Sequence, residues 1–156
     1  MHSVKALSEK AAMHEALVGR VPLCVQDVMT RQVVTLRPEH TFADAVGLMG
    51  SNSFRHFPVV DSATRLAGVV SDRDILRALA RTRDWKASYV SQFMSRDVVT
   101  VKPETELSLA AGKMLSKRIN CLPVVNEDGT VCGIITSTDL LKVFRSLQEA
   151  VEKAAK

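Results

Sequence analysis

Two hydroxyl–carboxylate pairs carry the clearest chemistry in this sequence, Ser71-x-x-Asp74 and Thr136-x-x-Asp139. Each pair stands where an apolar, strand-like stretch gives way to a helical pattern. In a capping box, the hydroxyl accepts a hydrogen bond from a helix N–H and the acid reaches back to the backbone of the cap residue. A helix N-terminus also offers N–H groups to an anion, and a carboxylate beside it can accept hydrogen bonds from sugar hydroxyls. The residues leave both interpretations open, a helix cap and a site for a phosphorylated sugar.

The two pairs are copies of one motif, because the chain repeats itself without a gap. Met29 and the six residues after it return from Met94, and Pro58-Val-Val60 returns as Pro123-Val-Val125, each at an offset of 65 residues (94 minus 29, and 123 minus 58). A gapless repeat of this length indicates a duplicated supersecondary unit. Two copies related by a pseudo-two-fold axis would create paired, similar crevices.

Each copy predicts the element order β-α-β-β-α, and hence an α+β fold of two repeats packed by pseudo-two-fold symmetry. A β-branched segment is followed by a Pro-Glu turn and a helix, and two further strands flank a polar turn that indicates a hairpin. A second helix closes the unit. Neither unit could cover both faces of so small a sheet alone, so we expect the copies to pack on each other. The predicted strands are Val33–Leu36, Phe57–Val60 and Leu66–Val70, then Val98–Val101, Leu122–Val125 and Val131–Ile135.

The repeat also predicts how the chain is divided. Apolar residues at helical spacing in the first 20 residues predict an amphipathic helix, which either packs on the domain or makes a docking or dimer contact. The predicted divisions are an N-terminal helical extension at 1–22, repeat 1 at 23–81, a linker at 82–89, repeat 2 at 90–145 and a helix end with a tail at 146–156.

Composition limits the classes of function. The 156 residues are 46% hydrophobic and 4% aromatic, which suits one domain or two small halves with an aliphatic core. A net charge of +4 suits an anionic partner, but acids are interspersed with the bases and the single Trp and Tyr offer little for stacking, so nucleic acid is not expected. No apolar run predicts a signal peptide or membrane span. The three cysteines lack CxxC spacing, and Cys121 and Cys132 lie in strand-like apolar stretches, which indicates small buried side chains. A reducing cytoplasm is expected.

With these motifs in view, residues 23–145 resemble a tandem pair of CBS domains, the regulatory module named for cystathionine β-synthase. The resemblance rests on the Val-Val-Thr segment with its following Pro, the apolar-Pro-Val-Val strand and the Gly-x-x-[Ser/Thr]-x-x-Asp junction, each present twice in the same order. It implies paired sites for adenosine derivatives in the cleft between the repeats, with AMP, ADP, ATP, NAD or S-adenosylmethionine as the ligand. It also implies that Asp74 shares its site with the first-strand segment of the opposite repeat, around Val99.

The resemblance further implies individual roles. Asp74 and Asp139 would bind ribose hydroxyls, and the hydroxyls three residues before them would lie near phosphate. The backbone of the first strands and of the proline-containing strands would frame the adenine. The predicted ligand-binding residues are Val34, Thr35, Arg55, His56, Pro58, Ser71, Arg73, Asp74, Val99, Thr100, Cys121, Pro123, Thr136 and Asp139.

The two copies differ most in charge. Arg55-His56 in the first copy corresponds to Asn120-Cys121 in the second, and Arg73 has no basic counterpart. We expect the site that faces these three basic residues to prefer polyphosphates, since charge-assisted hydrogen bonds to phosphate are strong. The alternative is that the arginines are solvated surface charge and that the histidine packs against the sheet.

The leading hypothesis is a non-catalytic sensor, a homodimer associating through its helices, that binds an adenosine derivative and changes shape or assembly to regulate an unidentified protein. The alternative is a ligand-free, dimerising scaffold, which the capping-box interpretation supports. Four scattered histidines form neither a metal-ligand cluster nor a nucleophile–base pattern. We therefore predict no enzyme, no metal site and no required cofactor.

Overall fold

The computed structural model describes residues 21–156, so the helix predicted for residues 1 to about 20 lies outside the described residues. Its α+β character confirms the prediction from the sequence. Short 3-10 turns at Val25–Asp27 and Trp85–Ala87 accompany the main elements. In chain order these elements are α1 Phe42–Ser51, β1 His56–Val60, β2 Leu66–Ser71, α2 Asp72–Arg81, α3 Val90–Phe93, α4 Leu107–Lys117, β3 Cys121–Val125, β4 Val131–Thr136 and α5 Ser137–Ala154.

Both predicted hairpins are present. Strand β1 pairs antiparallel with β2, and β3 with β4, so the strands of residues 21–156 form two two-stranded sheets. The register places His56 opposite Ser71 and Cys121 opposite Thr136. Because β2 and β4 run directly into α2 and α5, the first residue of each hairpin lies beside the start of the following helix.

The first predicted strand of each copy is much shorter than expected. Leu36 makes a single parallel bridge to Val59, and Val101 makes the equivalent bridge to Val124. The Leu36 N–H donates to the carbonyl of Pro58 at 2.9 Å, but extending the ladder by two residues would require an N–H from that proline, which has none. The strands predicted at residues 33–36 and 98–101 were therefore wrong in extent.

The beginning of each repeat is exchanged with the other repeat. Val25 is fully buried in the core of the second repeat, whereas Val90 is fully buried among the core residues of the first. Backbone hydrogen bonds fix the exchange: Thr30 pairs with Ile134 in β4 at 2.9 and 3.0 Å, and Ser95 pairs with Val69 in β2 at 2.9 Å in both directions. The two copies thus pack on each other, as expected, and each also buries the beginning of the other in its core.

Two glycines make room for this exchange. A Cβ atom on Gly68 would lie 2.8 Å from the carbonyl oxygen of Ser95, and one on Gly133 would lie 3.1 Å from that of Thr30. Both glycines belong to the Gly-x-x-[Ser/Thr]-x-x-Asp junctions. In the structure the approaching backbone is the exchanged segment of the other repeat.

The tips of the hairpins also meet. The N–H of Leu66 donates to the carbonyl of Gly129 at 3.1 Å, and the N–H of Val131 donates to that of Thr64 at 3.0 Å. Gly129 has a φ of 85°, which favours glycine at this turn. The two repeats are consequently joined both at the hairpin tips and along the exchanged segments.

No helix in residues 21–156 combines the length and the apolar character required to span a bilayer. The same part of the chain contains no group of three or more His, Cys, Asp and Glu side chains that could hold a metal ion.

Candidate functional site

Two cavities open between the repeats, one at each strand-to-helix junction. The Asp74 cavity has a volume of about 690 Å³ and the Asp139 cavity about 380 Å³, both within the range of small-molecule sites. The Asp74 cavity is lined by residues that include Ser71, Arg73, Asp74, Arg77, Ser95, Val99, Arg118, Cys121 and Pro123. The Asp139 cavity is lined by residues that include Val34, Phe54, Ile134, Thr136, Asp139 and Lys142.

Each cavity draws on both repeats because of the exchanged segments. Asp74, from the first repeat, lines the same cavity as Val99 from the second. Asp139, from the second repeat, lines the same cavity as Val34 from the first. The structure therefore brings together the residue pair that the sequence analysis placed in one site.

Both hydroxyl–carboxylate pairs form complete capping boxes. The backbone N–H of Asp74 donates to Ser71 Oγ at 3.2 Å. In return, Asp74 Oδ2 accepts hydrogen bonds from the Ser71 backbone N–H at 2.8 Å and from the Ser71 hydroxyl at 3.0 Å. Thr136 and Asp139 repeat these contacts at 3.3, 2.9 and 3.1 Å. The cap interpretation is confirmed as geometry, but it engages only Oδ2 of each carboxylate.

The second carboxylate oxygen distinguishes the two cavities. Oδ1 of Asp74 accepts a hydrogen bond from the Ser95 hydroxyl at 3.3 Å and lies 3.8 Å from a guanidinium nitrogen of Arg77. Within residues 21–156, no hydrogen bond engages Oδ1 of Asp139. A ribose hydroxyl entering the Asp139 cavity thus meets an unengaged acceptor, whereas one entering the Asp74 cavity has to share Oδ1 with Ser95.

Positive charge is distributed unequally. Arg73, Arg77 and Arg118 line only the Asp74 cavity, and Lys142 lines the Asp139 cavity. Arg55 lines both cavities, as does His56. The three basic residues expected to face one site therefore separate: only Arg73 belongs to a single cavity.

The surroundings of His56 disfavour its protonated form. Burial lowers its pKa below the ordinary 6.5, and Arg55 and Arg73 act in the same direction, while Asp72 and Asp74 oppose the shift. The sequence left open whether His56 packs against the sheet. In the structure, His56 is the first residue of β1 and is partly buried. Any strengthening of phosphate binding by protonation of His56 should therefore occur below its ordinary pKa of about 6.5.

The pKa of His56 makes unfolding pH-dependent. The unfolded chain takes up a proton at His56 near pH 6.5, but the folded protein does so only at lower pH, so the free energy of unfolding should fall as the pH drops below about 6.5. In urea denaturation at pH 8, 6 and 5, His56→Gln should lose less stability than the parent between pH 8 and 5. Equal losses in the two proteins would contradict this assignment.

Cys121, which lines the Asp74 cavity, is a buried thiol. Burial, with a smaller contribution from the negative charge of Asp139, raises its pKa to about 12. The side chain is buried, as the sequence predicted, and its place in the cavity is that of a small apolar surface.

Most of the predicted site residues reach a cavity, but three do not. Thr35, Thr100 and Pro58 line neither the Asp74 nor the Asp139 cavity, although Pro123 lines the former. Pro58 is fully buried, and the carbonyl of Thr100 accepts a hydrogen bond from Lys113 Nζ at 3.2 Å. Burial alone does not separate the two prolines, since Pro123 is fully buried as well and still lines the Asp74 cavity.

Sequence reasoning missed several cationic lining residues. Arg77 and Lys142 stand three residues after Asp74 and Asp139, one helical turn away, and they are equivalent in the repeat. The spacing Asp-x-x-[Arg/Lys] was thus a readable signal. Arg118 offered no such signal, because it reaches the Asp74 cavity from a left-handed C-cap (φ 53°) and its counterpart in the first repeat is Ser53.

Comparison with known proteins accords with this geometry. The family profile described as the CBS domain matches residues 25–81 and again 90–146. The chain belongs to the CBS-domain family. Curated relatives include a homoserine O-acetyltransferase of Methanohalobium evestigatum, 32% identical over 120 residues, which are 77% of this chain. The chain spans about a quarter of the length of that relative (24%), so the relative's enzymatic name refers to a much longer protein.

Solved CBS-domain structures share the fold. A Vibrio cholerae protein named for acetoin utilization (AcuB) has a TM-score of 0.75 and 37% identity, covering 83% of this chain and 96% of that one. The CBS domain pair of protein MJ0100, solved with 5′-methylthioadenosine and S-adenosyl-L-methionine, has a TM-score of 0.73 and 28% identity over 80% of this chain and 98% of that one. CBSX2 in complex with AMP has a TM-score of 0.74 and 27% identity over 81% and 99%.

Proposed function

We propose that this CBS-domain pair is a non-catalytic, cytoplasmic sensor that binds adenosine derivatives in the Asp74 and Asp139 cavities. The observation that carries the proposal is the repeated placement of a carboxylate, a helix N-terminus and a cation one turn along, in both cavities. The carboxylate suits ribose hydroxyls, and the helix N-terminus with its cation suits phosphate. The ligands in the MJ0100 and CBSX2 structures have an adenosine moiety in common, which supports this ligand class.

The two cavities should differ in preference. The Asp74 cavity is larger and has Arg73, Arg77 and Arg118 as cations of its own, with the acids Asp72 and Asp97 beside Asp74. Its guanidinium donors, rather than a net positive charge, would therefore suit di- and triphosphates. The Asp139 cavity has Lys142 as its own cation, and Oδ1 of Asp139 accepts no hydrogen bond from residues 21–156, so this cavity suits adenosine or its monophosphate. Roughly 1.5–3 kcal/mol for each charge-assisted hydrogen bond corresponds to a ten- to hundred-fold difference in affinity.

A ligand-free scaffold is the second candidate. The observation in its favour is that Asp74 is only 7% exposed and is fully engaged by its cap, Ser95 and Arg77. In that case both acids serve folding alone, and the cavities have no dedicated ligand.

Thermal unfolding with added ligand separates the two functions. A ligand that binds only the folded protein at a hundred times its Kd stabilises it by about 2.7 kcal/mol. We expect AMP, ADP, ATP or S-adenosylmethionine to raise the Tm and the matched guanosine compounds to raise it less, with no compound consumed. A Tm that ignores every adenosyl compound would favour the scaffold, and consumption of a bound nucleotide would favour an enzyme.

We also propose a homodimer. Two repeat-equivalent pairs of large apolar side chains are exposed on α2 and α5: Leu76 and Leu141 at 65% and 66%, and Leu79 and Phe144 at 42% and 60%. Isolated exposed leucines are ordinary, but equivalent pairs on both helices form a self-complementary pattern that a two-fold partner could bury. The occupant we propose is therefore a second copy of this chain.

Light scattering at tens of micromolar should return a dimer mass for the parent protein. Leu141→Glu should weaken the dimer at least about ten-fold, because each copy loses an apolar contact worth about 1.5–3 kcal/mol. Leu23→Glu is the matched control, since Leu23 is equally exposed (63%) but lies outside α2 and α5. A monomer mass for the parent, with and without nucleotide, would contradict the proposal.

A further inference from the structure

The two cavities share lining residues at, and just before, the start of the hairpins. Arg55, His56 and Asn120 line both the Asp74 and the Asp139 cavity. Arg55 and Asn120 are equivalent in the repeat, so they lie on either side of the pseudo-two-fold axis. At this position the first repeat thus has a guanidinium, and the second repeat has a neutral amide.

The backbone at these two positions is fixed. The Arg55 carbonyl accepts a hydrogen bond from the N–H of Asp72, the first residue of α2, at 3.1 Å. The Asn120 carbonyl accepts one from the N–H of Ser137, the first residue of α5, at 2.9 Å. The side chain of Arg55 is exposed and can turn toward either cavity from this fixed anchor.

The Asp139 cavity depends on Arg55 more than the Asp74 cavity does. Without Arg55, the Asp74 cavity retains three arginines, at positions 73, 77 and 118, whereas the Asp139 cavity retains Lys142. Asn120 cannot substitute, because a neutral amide makes a weaker hydrogen bond to phosphate than a guanidinium does.

We infer that Arg55 is a shared phosphate ligand that makes the two cavities antagonistic toward phosphorylated ligands. This inference rests on the proposed binding of adenosine derivatives. A guanidinium that binds phosphate in one cavity is withdrawn from the other, and two phosphates at one junction repel each other. By linkage, each ligand lowers the affinity of the other by the same factor. Uncharged adenosine does not engage Arg55 and leaves the cavities independent.

Calorimetry with ATP and with adenosine measures this coupling. Asp74→Asn and Asp139→Asn each retain a side-chain oxygen for the cap, and each gives the intrinsic affinity of the remaining cavity. In the parent protein, the affinity for the second ATP should be about ten-fold lower than the intrinsic affinity of the same cavity. A ten-fold difference corresponds to the lower end of the free energy of one charge-assisted hydrogen bond. Adenosine should show less than about two-fold coupling.

Two arginine variants assign the effect. Arg55→Ala should reduce the ATP coupling to the residual repulsion and weaken ATP most at the Asp139 cavity. Arg73→Ala, the matched control, should weaken ATP at the Asp74 cavity and leave the coupling unchanged. Unchanged coupling in Arg55→Ala, independent ATP sites in the parent, or equal coupling with adenosine would overturn the inference. Absence of any adenosyl binding to the parent would instead overturn the proposed function.

Discussion

Asp74→Ala should abolish adenosine binding in the Asp74 cavity alone, and Asp139→Ala should abolish it in the Asp139 cavity alone. Each acid lines its own cavity, and a carboxylate that accepts ribose hydroxyls contributes charge-assisted hydrogen bonds, so the affinity of the affected cavity should fall at least about ten- to hundred-fold. Calorimetry with adenosine should then give about half the parent's stoichiometry for each variant.

The chain supplies a matched control for the lost cap. Asp44 forms the same capping box with Thr41 at the start of α1, with Asp44 Oδ2 accepting from the Thr41 N–H at 2.8 Å, yet it lines neither cavity. Asp44→Ala should lower the free energy of unfolding slightly and leave adenosine binding intact. If Asp74→Ala and Asp139→Ala behave in the same way as Asp44→Ala, the acids are helix caps alone.

Gly68→Ala should destabilise the protein by about 1–3 kcal/mol. The added Cβ would lie 2.8 Å from the carbonyl oxygen of Ser95, so the exchanged segment would have to shift. That shift would strain both hydrogen bonds between Val69 and Ser95 and the Ser95 hydroxyl contact with Asp74. Urea denaturation should show the loss of stability, and adenosine affinity at the Asp74 cavity should fall with it.

Alanine substitutions at two other glycines serve as controls for Gly68→Ala. Gly47 lies in α1 with nothing within 4 Å of its Cβ position, so Gly47→Ala should stabilise the protein by up to about 1 kcal/mol. Gly133→Ala should cost less than Gly68→Ala, because its nearest obstacle is the flexible side chain of Met29 and the backbone oxygen of Thr30 is 3.1 Å away. Equal stabilities for the parent and Gly68→Ala would show that the exchanged segment does not require glycine.

The duplicated pattern made much of the fold predictable. The hairpins, the caps at Ser71 and Thr136 and the α+β character follow from short-range patterns that each copy repeats. The first strand of each copy was predicted too long because β-branched residues favour extended backbone whether or not a ladder forms. The proline in the neighbouring strand, which removes the next hydrogen-bond donor, limits the pairing to one bridge.

The exchange of segments could not be derived from hydrophobic pattern. Val25 and Val90 are equivalent in the repeat, so exchanging them leaves the same residue types in each core. Only the resemblance to CBS pairs pointed to a site shared between Asp74 and Val99. The placement of Arg55 in both cavities could not be predicted either, because the sequence assigns this residue to one repeat, whereas a position near a pseudo-two-fold axis can line two cavities.

The most direct test of the central claim is a crystal structure of the protein grown with AMP. We expect adenosine in both cavities, with ribose hydroxyls within about 3 Å of the carboxylates of Asp74 and Asp139. The phosphate should lie toward the helix N-terminus and the cations of each cavity. AMP bound elsewhere on the chain, or two empty cavities at a ligand concentration that raises the Tm, would contradict the claim.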